Sequence, residues 1–144
     1  MAWIEPDSYE DELGRWNNET NTSAESIEIA YDEGTGWLYF KLDQPTACDK
    51  IEIDISKSNG DANPVSFEIY GYWLEEWHAI YSGDWYEEGL QELSLGGIVP
   101  LEEIKLAFRN DDYEDVTSVV INNIAFNFVG ISSVLSAVLN GEEY

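Results

Sequence analysis

Residues 65–85 read VSFEIYGYWLEEWHAIYSGDW, and the interpretation of this stretch decides the fold. Val65, Phe67 and Ile69 alternate with Ser66, Glu68 and Tyr70, the period of two that marks a strand with one buried face. After Leu74-Glu75-Glu76 a second arm runs from Trp77 to Tyr81 and stops at the turn cluster Ser82-Gly83-Asp84. The pattern predicts a β-hairpin crowded with rings: Tyr70, Tyr72, Trp73, Trp77, Tyr81 and Trp85. Such rings either wall the core of a sandwich or face a ligand, and the spacing leaves both open.

Upstream, Ile27 and Ile29 alternate in SIEIAY, and Asp32-Glu33-Gly34-Thr35-Gly36 makes a turn. WLYFKL (37–42) puts Leu38, Phe40 and Leu42 on one face and Trp37, Tyr39 and Lys41 on the other, and Pro45 closes it. KIEIDI (50–55) follows, with Ile51, Ile53 and Ile55 facing in and Glu52 and Asp54 facing out. Ser58-Asn59-Gly60-Asp61 is a loop before the hairpin.

Downstream, Leu93 and Leu95 alternate ahead of Gly96-Gly97 and Pro100, and EIKLAF (103–108) repeats the pattern with Ile104, Leu106 and Phe108. The acidic loop NDDYED (110–115) leads into SVVINNIAFNF (118–128). There Val120, Ile124, Phe126 and Phe128 share one parity, which Asn122 interrupts in the manner of a bulge. About eight short strands separated by turns, with no helical pattern before residue 130, define an all-β chain. The expected fold is an antiparallel β-sandwich of the jelly-roll kind.

The expected organisation has three parts: a loop-rich segment 1–25, a sandwich domain 26–129 and a C-terminal docking segment 130–144. In the first part Trp3, Ile4 and Trp16 can pin the chain to the core. Its two glycosylation sequons, at Asn18 and Asn21, are read as chance matches, because MAWIEPDSYED lacks the basic and apolar regions of a signal peptide. In the last part the period changes to 3.6: Ile131, Val134, Leu135, Val138 and Leu139 form one apolar stripe. A short helix or arm is expected there, docking against the sandwich or, preferentially, between subunits.

Charge limits the partners. The 144 residues carry 30 Asp+Glu against 6 Lys+Arg, a formal net charge of −24. That field repels phosphate backbones and anionic lipid, so neither nucleic acid nor membrane is an expected partner. Cys48 is the single cysteine, so no intrachain disulfide forms.

The ordered segments AYDEGTG, WLYFKLDQP, CDKIEIDI, VSFEIYGYW, WHAIYSGDW, QELSL, EIKLAFRN and VVINNIAFNF resemble the discoidin-like (coagulation factor 5/8 C-type) galactose-binding fold. The likeness is to the single-domain versions in phage virion proteins. It rests on Ala30-Tyr31-Asp32, on the step from Pro45 to Ile51, and on the aromatic return from Trp77 to Gly83. It implies a galactose-binding-like sandwich and a non-enzymatic component of a virion surface. Such a protein would decorate a capsid or associate with a tail, made in the host cytoplasm. Its partners would be a capsid or tail protein and further copies of itself. The terminal cysteine pair of eukaryotic relatives is absent.

Candidate chemistry is thin. Adjacent carboxylates such as Glu75/Glu76, Glu87/Glu88 and Glu102/Glu103 are expected from composition alone. His78 is the only histidine, Cys48 reads as a small hydrophobe, and no G-x-S-x-G elbow occurs, so no enzyme is expected. Calcium is the one cofactor to consider, with Asp32, Glu33, Asp111, Asp112 and Asp115 as hard oxygen ligands in two acidic loops. The resemblance implies a structural calcium near the first of them. Six Trp exceed the needs of one small core. Tyr72, Trp73, Trp77, Trp85 and Tyr86 are therefore candidates for a platform that stacks on sugar rings. The alternative function to a virion role is thus a carbohydrate-binding module.

Overall fold

A computed structural model describes residues 2–17, 25–30, 33–57, 65–111 and 117–129, and among these the alternating segments all form strands, with no helix. In chain order the strands are β1 (Ala2–Ile4), β2 (Ser8–Asp11), β3 (Glu25–Ile29), β4 (Glu33–Gly34) and β5 (Leu38–Lys57). β6 (Val65–Trp73), β7 (Glu76–Trp85), β8 (Gly89–Asn110) and β9 (Thr117–Phe128) follow. Every pairing between them is antiparallel.

Two long strands tie the sandwich together. β5 has 20 residues and β8 has 22, and each contributes one half to either layer. In the first layer Leu38–Lys41 of β5 lies between β2 and residues 103–106 of β8, and β6 and then β7 complete it. In the second, residues 50–55 of β5 lie between residues 89–94 of β8 and β9, whose far edge takes β3 and β1.

The expected separate strands 37–42 and 50–55 are therefore the two halves of one. Pro45 does not end β5, and Gly96-Gly97 and Pro100 do not interrupt β8. The reason lies in the ladder: its register shifts between Lys41 and Thr46 and again between Cys48 and Lys50. Pro45 falls in the first irregular stretch, where no N–H is needed, and Gly96-Gly97 fall in the second, while Pro100 stays in register opposite Ala47. The strands bend there and carry on into the other layer.

The first 25 residues are more than loop. β1 pairs with β9, β2 pairs with β5, and Trp16 is buried against Phe108 with ring centroids 6.1 Å apart. Trp3, by contrast, stays exposed.

Period-two alternation delivers the core. Val65, Phe67 and Ile69 of β6, Ile51, Ile53 and Ile55 of β5, and Ile104, Leu106 and Phe108 of β8 are all buried. Phe67 lies opposite Phe108 in register, and their rings stack at 4.6 Å with planes 13° apart. Burying each such side chain contributes roughly 1.5–3 kcal/mol.

Two bulges reset the alternation. In β9, Asp54 faces Asn123 but Ile55 faces Ile121, so Asn122 is the extra residue expected from the sequence. Its amide donates to Asp54 Oδ1 at 3.2 Å and to Ser56 Oγ at 2.8 Å. Before the bulge Val119 and Ile121, not Val120, turn into the core. In β7, Ile69 faces Tyr81 but Tyr70 faces Ala79, which makes Ile80 the extra residue. Residues 130–144, with the stripe of Ile131, Val134, Leu135, Val138 and Leu139, lie outside the described residues, as do Asn18 and Asn21.

Candidate functional site

The outer face of the first layer concentrates the chain's partly exposed rings. Alternation turns Tyr39 outward from β5 with Trp37 just before that strand, Lys105 from β8, Tyr70 and Tyr72 from β6 and Trp77 from β7. Register then sets them side by side. Tyr39 is opposite Lys105, Lys105 is opposite Tyr70, and Tyr72 is opposite Trp77. The Lys105 ammonium lies 4.5 Å from the Trp37 ring centroid, 5.5 Å from Tyr70 and 4.4 Å from Trp77, each within cation–π reach. Tyr39 packs on Trp77 at 6.4 Å, and Trp37 meets Tyr70 edge-on at 5.8 Å.

Beside Trp37 this face opens into a cavity of about 320 Å³. Small residues make the space: Gly34, Gly36, Ser66 and Ala107 line it. Gly36 is required twice over, by its φ of +74° and because a Cβ there would stand 2.5 Å from Leu13 Cγ. Trp37, Glu12, Glu68 and Arg109 complete the walls. Glu12 accepts the Trp37 backbone N–H at 3.0 Å, and Glu68 accepts the Tyr70 hydroxyl at 3.1 Å. The floor is held by Thr35, whose hydroxyl accepts the Phe108 N–H at 3.1 Å. One ring, two carboxylates and a guanidinium around a space of this size can stack on a sugar and exchange hydrogen bonds with its hydroxyls.

The surroundings are acidic. Burial raises the Tyr39 phenol pKa, and Glu12, Glu10 and Glu103 raise it further. Burial also raises the Glu103 carboxyl, with Lys41 pulling the other way.

The structure divides the expected aromatic platform. Tyr72 and Trp77 do meet, at 5.0 Å. Trp73 and Trp85 are corrected to core residues, only 7% and 3% exposed. Trp73 stacks on His78 at 4.0 Å, and Trp85 meets Phe67 edge-on at 5.0 Å. Trp77 and Trp85 share parity, but the bulge at Ile80 lies between them and puts them on opposite faces. Tyr86 is exposed but follows Trp85, whose partner is Val65, whereas Trp77 faces Tyr72. That separates them by roughly 20 Å or more along the hairpin. Trp37, Tyr39, Tyr70 and Lys105 are the residues sequence reasoning did not assemble. Alternation already turned them outward; the strand order that joins them was not in the pattern.

Of the two acidic stretches, the described residues Glu33 of β4 and Asn110 of β8 pair with each other. Asp32, Asp112 and Asp115 lie outside the described residues. Glu33 is already engaged: its carboxylate takes the Ala30 N–H at 3.3 Å and Arg15 at 3.0 Å, which together lower its pKa. Asp111 accepts the Ser66 hydroxyl at 2.6 Å and pairs with Arg109 at 3.3 Å. Among the described residues no group of three or more acidic, His or Cys side chains could hold a metal ion. Cys48 is fully buried, which pushes its thiol pKa up to about 12.

No protein-family model and no curated protein sequence matches the chain. Solved structures do match in fold. A GH31 CBM32-2 module bound to GalNAc is 14% identical with a TM-score of 0.61, covering 90% of this chain and 100% of its own. The family 32 carbohydrate-binding module from Streptococcus pneumoniae EndoD is 16% identical with a TM-score of 0.58, over 89% and 100%. The CBM32 of AlyQ, in complex with 4,5-unsaturated mannuronic acid, is 13% identical with a TM-score of 0.56, over 88% and 98%. The chain therefore has the discoidin-like galactose-binding β-sandwich fold that these carbohydrate-binding modules share.

Proposed function

We propose that this chain is a non-catalytic carbohydrate-binding module that holds a neutral sugar in the cavity beside Trp37. The observation that carries the reading is the cavity itself. A ring wall, the acceptors Glu12 and Glu68 and the donor Arg109 surround a space of about 320 Å³ on the outer face of a sandwich of this fold. The fold relatives support it, since each of those named is a carbohydrate-binding module. Glycan recognition thus stands ahead of the virion-surface role that the sequence resemblance implied, because the fold relatives are carbohydrate-binding modules.

Electrostatics narrows the ligand. Arg109 is paired with Asp111, leaving Glu12 and Glu68 to set the local sign within a chain of net charge −24. Polyuronates and sulfated glycans would be repelled, and neutral sugars would not. A glycan array tests this. Neutral glycans are expected to bind, and Trp37→Ala should weaken them at least tenfold without unfolding the chain. Absence of binding across the array, or a preference for uronate and sulfate glycans, would refute the reading.

A further inference from the structure

All six cations of the chain lie among the described residues, and five are committed. Arg15, Lys41, Lys50 and Arg109 pair with Glu33, Glu10, Glu92 and Asp111, while Lys57 donates to the carbonyls of Trp85 and Tyr86 at 3.1 and 2.8 Å. Lys105 has no carboxylate within ion-pair distance among the described residues. Its ammonium is held instead by Trp37, Tyr70 and Trp77. Ring faces attract the charge but supply no oxygen acceptor, so the ammonium's three donors remain available to a ligand.

We propose that this ammonium, carried by a half-buried lysine, is the centre of a second sugar subsite, continuous with the cavity, so that the ligand is a chain of sugar residues and not one terminal sugar. The inference rests on the carbohydrate-binding reading above. Continuity comes from Trp37, which lines the cavity and also contacts Lys105. From Trp37 to Lys41 the face runs roughly 13 Å along β5, and from β5 to β7 roughly 14 Å across three strand spacings. Both exceed one sugar ring. Tyr72 and Trp77 at the far side offer further ring surface, and Glu103, opposite Tyr72 in register, offers an acceptor. The charge of −24 argues against a second copy of the chain on this face, since two such surfaces repel each other.

Calorimetric titration with glucose, galactose and N-acetylglucosamine and with their β-1,4-linked oligomers up to hexamers tests the proposal. The best-bound series should tighten at least tenfold from monomer to hexamer. Lys105→Met, which keeps the side chain's length but removes its donors, and Trp77→Ala should each bring that ratio close to one. Leu90→Ser, exposed in the other layer, should leave it unchanged. Equal monomer and hexamer affinities in the wild type would overturn the second subsite and leave the cavity reading intact. No binding of any length would overturn both. A Trp77-dependent dimer in sedimentation, without length dependence, would give the face to a second copy and also overturn the proposal.

Discussion

The Lys105 ammonium sits 4.4 Å from the centroid of the Trp77 ring, although their strands are not neighbours: β6 lies between β8 and β7. The contact reaches over the Tyr70–Tyr72 stretch and ties three strands together on the solvent side. Cation–π contacts at partly exposed sites are worth about 0.5–1 kcal/mol each. Lys105→Gln is therefore expected to cost about 1 kcal/mol in urea unfolding. Lys50→Gln, which breaks only the exposed pair with Glu92, should cost less than about 0.5 kcal/mol. Equal costs would mean that the rings do not hold the ammonium.

The tryptophans of the hairpin should separate sharply. Trp73→Ala and Trp85→Ala each empty a buried site and should destabilise by about 3–5 kcal/mol. Trp77→Ala removes a ring that is 38% exposed and should cost about 1 kcal/mol or less. Denaturant melts of the three variants check this, and a large loss for Trp77→Ala would put that ring in the core.

The hairpin turn is built from unfavourable residues. Leu74 and Glu75 connect the paired Trp73 and Glu76 with φ of 53° and 65°, the left-handed pair that favours Asn-Gly. A left-handed non-glycine residue costs roughly 1–2 kcal/mol. Replacing both by Asn-Gly should raise stability by about 1–2 kcal/mol. A melt that shows no gain would contradict the turn geometry.

Glu52, expected from alternation to face water, is only 9% exposed, between the flanking strands β8 and β9. Burial raises its pKa, and the facing Glu92 adds to the shift. The sign follows directly. A carboxylate with a folded pKa above its unfolded value destabilises the fold at neutral pH, and the penalty fades as pH falls through that window. Glu52→Gln should therefore raise the melting temperature at neutral pH, and the gain should vanish below the ordinary glutamate range. A pH-independent difference, or a loss at neutral pH, would show that Glu52 is not desolvated.

Much of the fold was legible because period-two alternation reports burial directly. Ile51, Ile53 and Ile55, the face of Val65, Phe67 and Ile69, and the bulge at Asn122 all followed from it. What alternation cannot carry is continuity and order. Pro45 and Pro100 read as strand ends, yet bulges bend β5 and β8 past them into the second layer. The bulge at Ile80 leaves no mark in composition, so Trp85 could not be told from Trp77. Lys105 read as one more solvent-facing residue. Only the order β5–β8–β6–β7 sets it among rings contributed from 28 to 68 positions away in the chain.

The central claim is that sugar binds beside Trp37, and the indole N–H resonances of the six tryptophans test it most directly. In a titration of the isotope-labelled chain with the best-bound neutral oligosaccharide, the Trp37 signal should move most and saturate, and Trp77 should move with it. Trp73 and Trp85 should stay nearly still, because their rings are in the core. Saturable shifts that spare Trp37 would place the sugar elsewhere on the sandwich and contradict the account.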